Sequence, residues 1–131
     1  MKLLLDTHIW VRQILEPEKL TLRVVRELEN PANELWLSPI SLVEVQSLIC
    51  KGRIEVNQPA ETWIRSGLAT VLVLEAPVTF EIALSAESFR EWLTDPCDRI
   101  LAATAQVLEL TLVTADKKLL HLSQIELLPD R

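Results

Sequence analysis

Four of the nineteen acidic residues in this chain, Asp6, Glu44, Asp98 and Asp116, stand where their side chains could do chemistry together. Asp6 ends the apolar run Leu3-Leu4-Leu5, and Asp116 follows a second such run, Leu112-Val113-Thr114, after one intervening alanine. Asp98 opens an Ile/Leu/Ala-rich stretch, and Glu44 sits among Ile40, Leu42, Val43, Val45 and Leu48. A carboxylate in so apolar a segment is costly unless a partner or a cation compensates it. Gathered at one place, four carboxylates repel one another, and the arrangement makes sense around a hard cation such as Mg²⁺ or Mn²⁺, which prefers oxygen ligands. No His/Cys spacing supports zinc: His8 is a single candidate beside Asp6, and His121 falls in a short terminal helix. Taken singly, each acid has an ordinary explanation. Asp6, Asp98 and Asp116 could cap or begin helices, and Glu44 could face solvent beside Ser41, Gln46 and Ser47.

The elements that must position these residues alternate. Lys2–Leu5 has the continuous apolar character of a strand buried on both faces, and a helix follows with Ile9, Trp10, Ile14 and Leu15 at helical spacing up to Pro17. Leu20–Leu28 is a second amphipathic helix, Leu35–Ser38 a second strand, and Ile40–Cys50 a helix behind Pro39 that Gly52 stops. A helix follows Pro59, and the β-branched stretch Val71–Leu74 is a third strand. Val78–Trp92 has a helical pattern, and Asp95-Pro96-Cys97-Asp98 is a tight turn into a helix over Arg99–Leu108. Leu112–Thr114 is a fourth strand, and Ile125–Leu128 an edge strand after a short helix with Leu119, Leu120 and Leu122. The alternation predicts a three-layer α/β/α sandwich with a mainly parallel sheet. Ligands of such sheets gather beyond the carboxyl ends of the strands, where Asp6 and Asp116 fall.

Composition sets the frame. The 131 residues are expected to form a single domain, and 49% apolar content is enough for a core. The amino-terminal apolar run is too short for a signal peptide, and nothing approaches the ~20 apolar residues of a membrane span, so a cytoplasmic protein is expected. Cys50 and Cys97 are expected to be free thiols, Cys97 made less acidic by Asp98 beside it. A net charge of −6 argues against an autonomous duplex binder. It leaves room for a phosphodiesterase, because each bound divalent ion would cancel two charges and present a positive face to phosphate.

Four segments together carry a resemblance. Leu3-Leu4-Leu5-Asp6-Thr7-His8, Ser38–Glu44, Asp95-Pro96-Cys97-Asp98-Arg99-Ile100-Leu101-Ala102-Ala103 and Leu112-Val113-Thr114-Ala115-Asp116 resemble, in order, the successive motifs of PIN domains, and among them the small VapC-type toxins. One departure is visible: related sequences often carry a histidine shortly before the Asp-Pro segment, where this chain has Glu91-Trp92-Leu93-Thr94. The resemblance implies Mg²⁺- or Mn²⁺-dependent cleavage of RNA, control by a cognate antitoxin, and a homodimer. It also implies that Asp6, Glu44, Asp98 and Asp116 form the catalytic and metal-binding set, with the hydroxyl of Thr114, and less directly that of Thr7, assisting; Asp95 belongs to the motif without being a primary ligand.

Competing readings leave their own marks. A receiver-like Mg²⁺-binding signalling domain resembles a pattern with paired acids after strand one, whereas only Asp6 stands there and strand three ends Leu74-Glu75-Ala76-Pro77. A dehalogenase-like phosphatase would need a second aspartate in place of His8. A non-catalytic PIN-like interaction module is opposed by the presence of all four acids. Arg99, Lys51, Arg53 and Lys117 are candidate phosphate contacts, though each equally suits a solvated charge. The four tryptophans, Trp10, Trp36, Trp63 and Trp92, are expected mainly in the core. The Leu20–Leu28 and Ile40–Cys50 helices could bound a groove for a partner helix.

Overall fold

Leu3, Leu4 and Leu5 are fully buried at the centre of the sheet, as a continuous apolar strand requires. The computed structural model describes every residue from Met1 to Arg131. Strand β1 (Lys2–Leu5) lies between β2 (Glu34–Leu37) and β4 (Thr111–Thr114); β3 (Leu74–Glu75) and β5 (Glu126–Pro129) form the edges, giving the order β3-β2-β1-β4-β5. Every pairing is parallel, with Leu4 opposite Trp36 on one side and Leu112 on the other. The chain steps outward from β1 to β3 and then returns to the other side of β1. The order therefore reverses beside β1, and the crevice at such a point is where a parallel sheet accepts ligands.

Alternate side chains of each strand feed two separate cores. Leu3, Leu5 and Val113 pack with Ile9, Trp10, Val24, Val45 and Trp63, under α1 (Thr7–Leu15), α2 (Leu22–Glu29), α3 (Pro39–Cys50) and α4 (Ala60–Thr70). Leu4 and Leu112 pack with Ile82, Phe89, Leu93, Leu101 and Leu119, under α5 (Phe80–Ser85), α6 (Pro96–Val107) and α7 (Lys117–Leu120). The sandwich has three layers, and each fully buried leucine contributes roughly 1.5–3 kcal/mol.

Three expectations are corrected. The third strand is two residues, not Val71–Leu74: Val71 terminates α4 by donating its N–H to Gly67 O, Leu72 is 87% exposed, and the ladder begins where Leu74 reaches Trp36. The Val78–Trp92 helix is broken: α5 ends at Ser85 and a 3₁₀ turn over Ala86–Phe89 carries Phe89 into the core. The helix assigned to Arg99–Leu108 starts earlier, at Pro96, with Asp95 as its cap, so Asp98 lies inside the first turn. Among the tryptophans, Trp10 and Trp63 are core residues meeting edge to face at 5.8 Å, whereas Trp92 is half exposed. The groove beside α3 is lined by Leu42 of α3 and by Ile64 and Leu68 of α4, not by α2. Both cysteines are free thiols.

Candidate functional site

Asp6 and Thr114 leave adjacent strands at the same sheet edge, and their side chains meet there. Thr114 Oγ1 donates to Asp6 Oδ2 at 2.6 Å and accepts the Asp116 N–H at 3.0 Å, so one hydroxyl links two of the acids. Asp6 stands at the capping position of α1 but makes no side-chain cap bond; its carboxylate, 7% exposed, is turned to Thr114. Asp116 does cap, accepting from Lys118 N at 2.9 Å. These two acids thus part company: the capping explanation accounts for Asp116 and fails for Asp6.

Glu44 arrives from the next strand over. Ser38 follows β2 and caps α3 by accepting from Ile40 N, which sets the helix so that Ser41 and Glu44, one turn apart, face α1. Thr7 Oγ1 lies 2.9 Å from both Ser41 Oγ and Glu44 Oε1. With one proton to give, Thr7 satisfies both by donating to Glu44 and accepting from Ser41. Asp98 comes from the opposite helical layer, in the first turn of α6, where Asp95 accepts from Cys97 N at 2.9 Å.

The four carboxylates share one electrostatic neighbourhood, each within range of at least two of the others. Burial is the largest influence on three of them. It raises Asp6 above the usual carboxylate range against the Thr114 hydrogen bond, and lifts Glu44 to about 7 against the bond from Thr7. It lifts Asp98 to about 6, helped by the charges of Asp95 and Asp116. Burial, reinforced by Glu44, also pushes the Cys97 thiol up to about 11, which keeps it protonated and unreactive.

Positive charge is scarce here. His8, exposed beside Asp6, opposes its rise, and Lys118 Nζ reaches Asp98 Oδ2 at 3.7 Å. The residues fit a hard divalent cation in two respects: the donors are carboxylate and hydroxyl oxygens, and their charge is largely uncompensated. No group of three or more Asp, Glu, His or Cys side chains is drawn close enough to clamp an ion.

The candidate phosphate contacts do not assemble. Arg99 is turned away, donating from Nε to Leu93 O at 2.7 Å and from a terminal nitrogen to Thr94 O at 2.8 Å, which fastens the loop before α6. Lys51 and Arg53 follow α3 at its end remote from Ser38, and Arg53 borders a cleft with Leu15 and Glu16 beyond α1. Lys117 is exposed on α7. Sequence reasoning missed Ser41 and Lys118. Ser41 lies one helical turn before Glu44, a signal that was available; the reach of Lys118 to Asp98 crosses two elements and leaves none.

A sequence model of the PIN domain matches residues 3–125. The chain is 29% identical over 119 residues to Ribonuclease VapC22 of Mycobacterium tuberculosis, covering 88% of each protein. Its fold is similar to those in VapBC2 from Rickettsia felis, solved bound to a promoter DNA fragment (TM-score 0.73, 19% identity, 98% of each chain). It is also similar to VapBC-1 from nontypeable Haemophilus influenzae (TM-score 0.69, 22% identity, 98% of each chain) and to a toxin-antitoxin complex from Klebsiella pneumoniae (TM-score 0.68, 22% identity, 98% of this chain and 97% of the other).

Proposed function

The chain belongs to the PIN domain family, and from that premise we propose that it is a divalent-metal-dependent endoribonuclease, the toxin of a toxin-antitoxin pair. The observation that carries the reading is the convergence of Asp6, Glu44, Asp98 and Asp116 at the sheet edge, with only Lys118 and His8 to offset them. The similarity to Ribonuclease VapC22 favours RNA as substrate.

The four carboxylates would hold Mg²⁺ or Mn²⁺ directly or through water, and the ion, when bound, would supply a more acidic water and neutralise charge on the phosphodiester. Thr114 fixes Asp6 through Oδ2 and leaves Oδ1 for other partners. Thr7, steadied by Ser41, orients Glu44 in the same way, occupying Oε1 and leaving Oε2. Asp98 approaches from the opposite layer, so the ligands come from both faces of the sheet. Donors fixed in advance by hydroxyls lose little entropy when the ion and substrate arrive.

The antitoxin partner is supported by the VapBC assemblies whose fold this chain shares. A homodimer is supported by α5, where Phe80 and Leu84, one turn apart, are 92% and 78% exposed. No helix is long and apolar enough to cross a membrane, and a ribonuclease toxin would act in the cytoplasm, on RNA.

Incubating the purified protein with single-stranded and structured RNAs tests the reading. Cleavage is expected with Mg²⁺ or Mn²⁺ and is expected to stop on adding EDTA. Cleavage that persists in EDTA overturns the metal-dependent mechanism. Absence of both cleavage and metal binding favours a non-catalytic interaction module.

A further inference from the structure

Of the five ion pairs in the molecule, one reaches the carboxylate cluster: Lys118 Nζ to Asp98 Oδ2, at 3.7 Å. The contact joins two helices of the same layer, α7 behind β4 and the first turn of α6. The same residue holds a second acid, its backbone N–H donating to Asp116 Oδ1 at 2.9 Å. Lys118 therefore ties two of the four carboxylates, one through the fixed main chain and one through a flexible stem.

The two ends of the ion pair are unequal. The Lys118 side chain is 62% exposed and the Asp98 side chain only 12%. An ammonium so exposed loses little by returning to water, since exposed pairs contribute little net stability. Asp98, deprived of it, would face Asp95, Asp116 and Asp6 without a cation. The pair is loose for the lysine and consequential for the aspartate.

We propose that Lys118 is an exchangeable counter-ion, whose ammonium holds Asp98 in the metal-free protein and releases it when a divalent cation enters the cluster. This inference rests on the reading of the cluster as a metal site. Lys118 is thus a positioning residue: it keeps Asp98 and Asp116 side by side before loading, and it competes with the metal for Asp98. Its neighbour Lys117 is also exposed, forms no ion pair, and carries the same charge. It separates the effect of the contact from that of overall charge.

Calorimetric titration of the full chain with Mn²⁺ tests the exchange, comparing wild type, Lys118→Met and Lys117→Met, with melting temperatures measured in EDTA. Lys118→Met keeps the apolar stem and the backbone donor. It is expected to bind Mn²⁺ about three- to tenfold more tightly than wild type and to melt lower when metal-free. Lys117→Met should shift the affinity by much less. Unchanged or weaker Mn²⁺ binding by Lys118→Met overturns the proposal, as does equal tightening by Lys117→Met, which would make the effect one of net charge. A wild-type protein that binds no Mn²⁺ overturns it too. RNA cleavage by the wild type, assayed alongside, reports separately on the nuclease reading: cleavage with unaltered Lys118→Met affinity defeats the counter-ion and leaves the nuclease standing.

Discussion

Thr114 concentrates more of the site's geometry than any acid does. Its hydroxyl donates a hydrogen bond to buried Asp6 and accepts one from the Asp116 N–H, so both acids beyond β1 and β4 depend on it. Replacing it with valine keeps the shape and removes the hydrogen bonds. Thr114→Val is expected to lower metal-free stability at neutral pH by about 1–3 kcal/mol, the usual cost of stranding a buried polar partner. Urea denaturation would measure this, and cleavage should fall on the order of tenfold. The carboxylates make a second prediction. Glu44 and Asp98 rise in the fold from ordinary values of 4.5 and 3.8 to about 7 and about 6. Between these limits the folded protein binds more protons than the unfolded chain, so their contribution to stability is full below about pH 4 and lost as pH rises through 6 to 7. In EDTA the protein should resist urea better at pH 5 than at pH 8, and Mn²⁺ should narrow the gap. A metal-free protein no less stable at pH 8 would mean that burial, and the neighbouring acids after it, do not penalise these charges as the geometry indicates. At this scale the acids were visible in the sequence, because their flanking apolar runs are local. Which of them cap was not, since Asp6 chooses a partner 108 residues away.

Two helices deliver acids from opposite layers, and their first turns decide the aim. In α6, Asp95 accepts from Cys97 N and fixes the turn that carries Asp98. Asp95→Ala is expected to cost about 1 kcal/mol in thermal or urea unfolding, typical of a lost cap. A variant of unchanged stability would show that Pro96 alone sets the helix start. In α5, Phe80 and Leu84 present an apolar strip to solvent. Phe80→Glu with Leu84→Glu should shift a self-associated protein toward monomer in sedimentation, and an unshifted profile would place the contact elsewhere. Segments such as α1, α2 and α4 were legible because their apolar residues recur at helical spacing. The two-residue β3 and the break after Ser85 were not. Val71-Leu72-Val73 favours extended backbone whether or not a neighbouring strand has room to pair with it. The 3₁₀ turn at Ala86–Phe89 exists to seat Phe89 against the sheet, a tertiary demand that no local propensity announces.

For the molecule as a whole, the strand order explains why acids so distant in sequence converge. The reversal beside β1 brings the ends of β1 and β4 together, with β2 adjacent, so residues 6, 38–44 and 114–116 share one edge. Alternating strands and helices made the sandwich legible, and the parallel-sheet rule pointed to that edge. The placement of cations was not legible, because a long basic side chain can reach many partners. The net charge of −6 then takes on a sharper meaning: part of it is gathered at this edge, where the proposed mechanism has a divalent cation precede the phosphodiester. Asp6 is the most buried of the four acids and makes no cap bond, so its charge has the least structural justification. The most direct measurement is therefore the single-turnover cleavage rate of an RNA in Mn²⁺ by wild type and by Asp6→Asn, which keeps the side-chain shape and removes the charge. A drop of about a hundredfold or more is expected, in a protein that remains folded; equal rates for the two proteins would rule Asp6 out of the catalytic set.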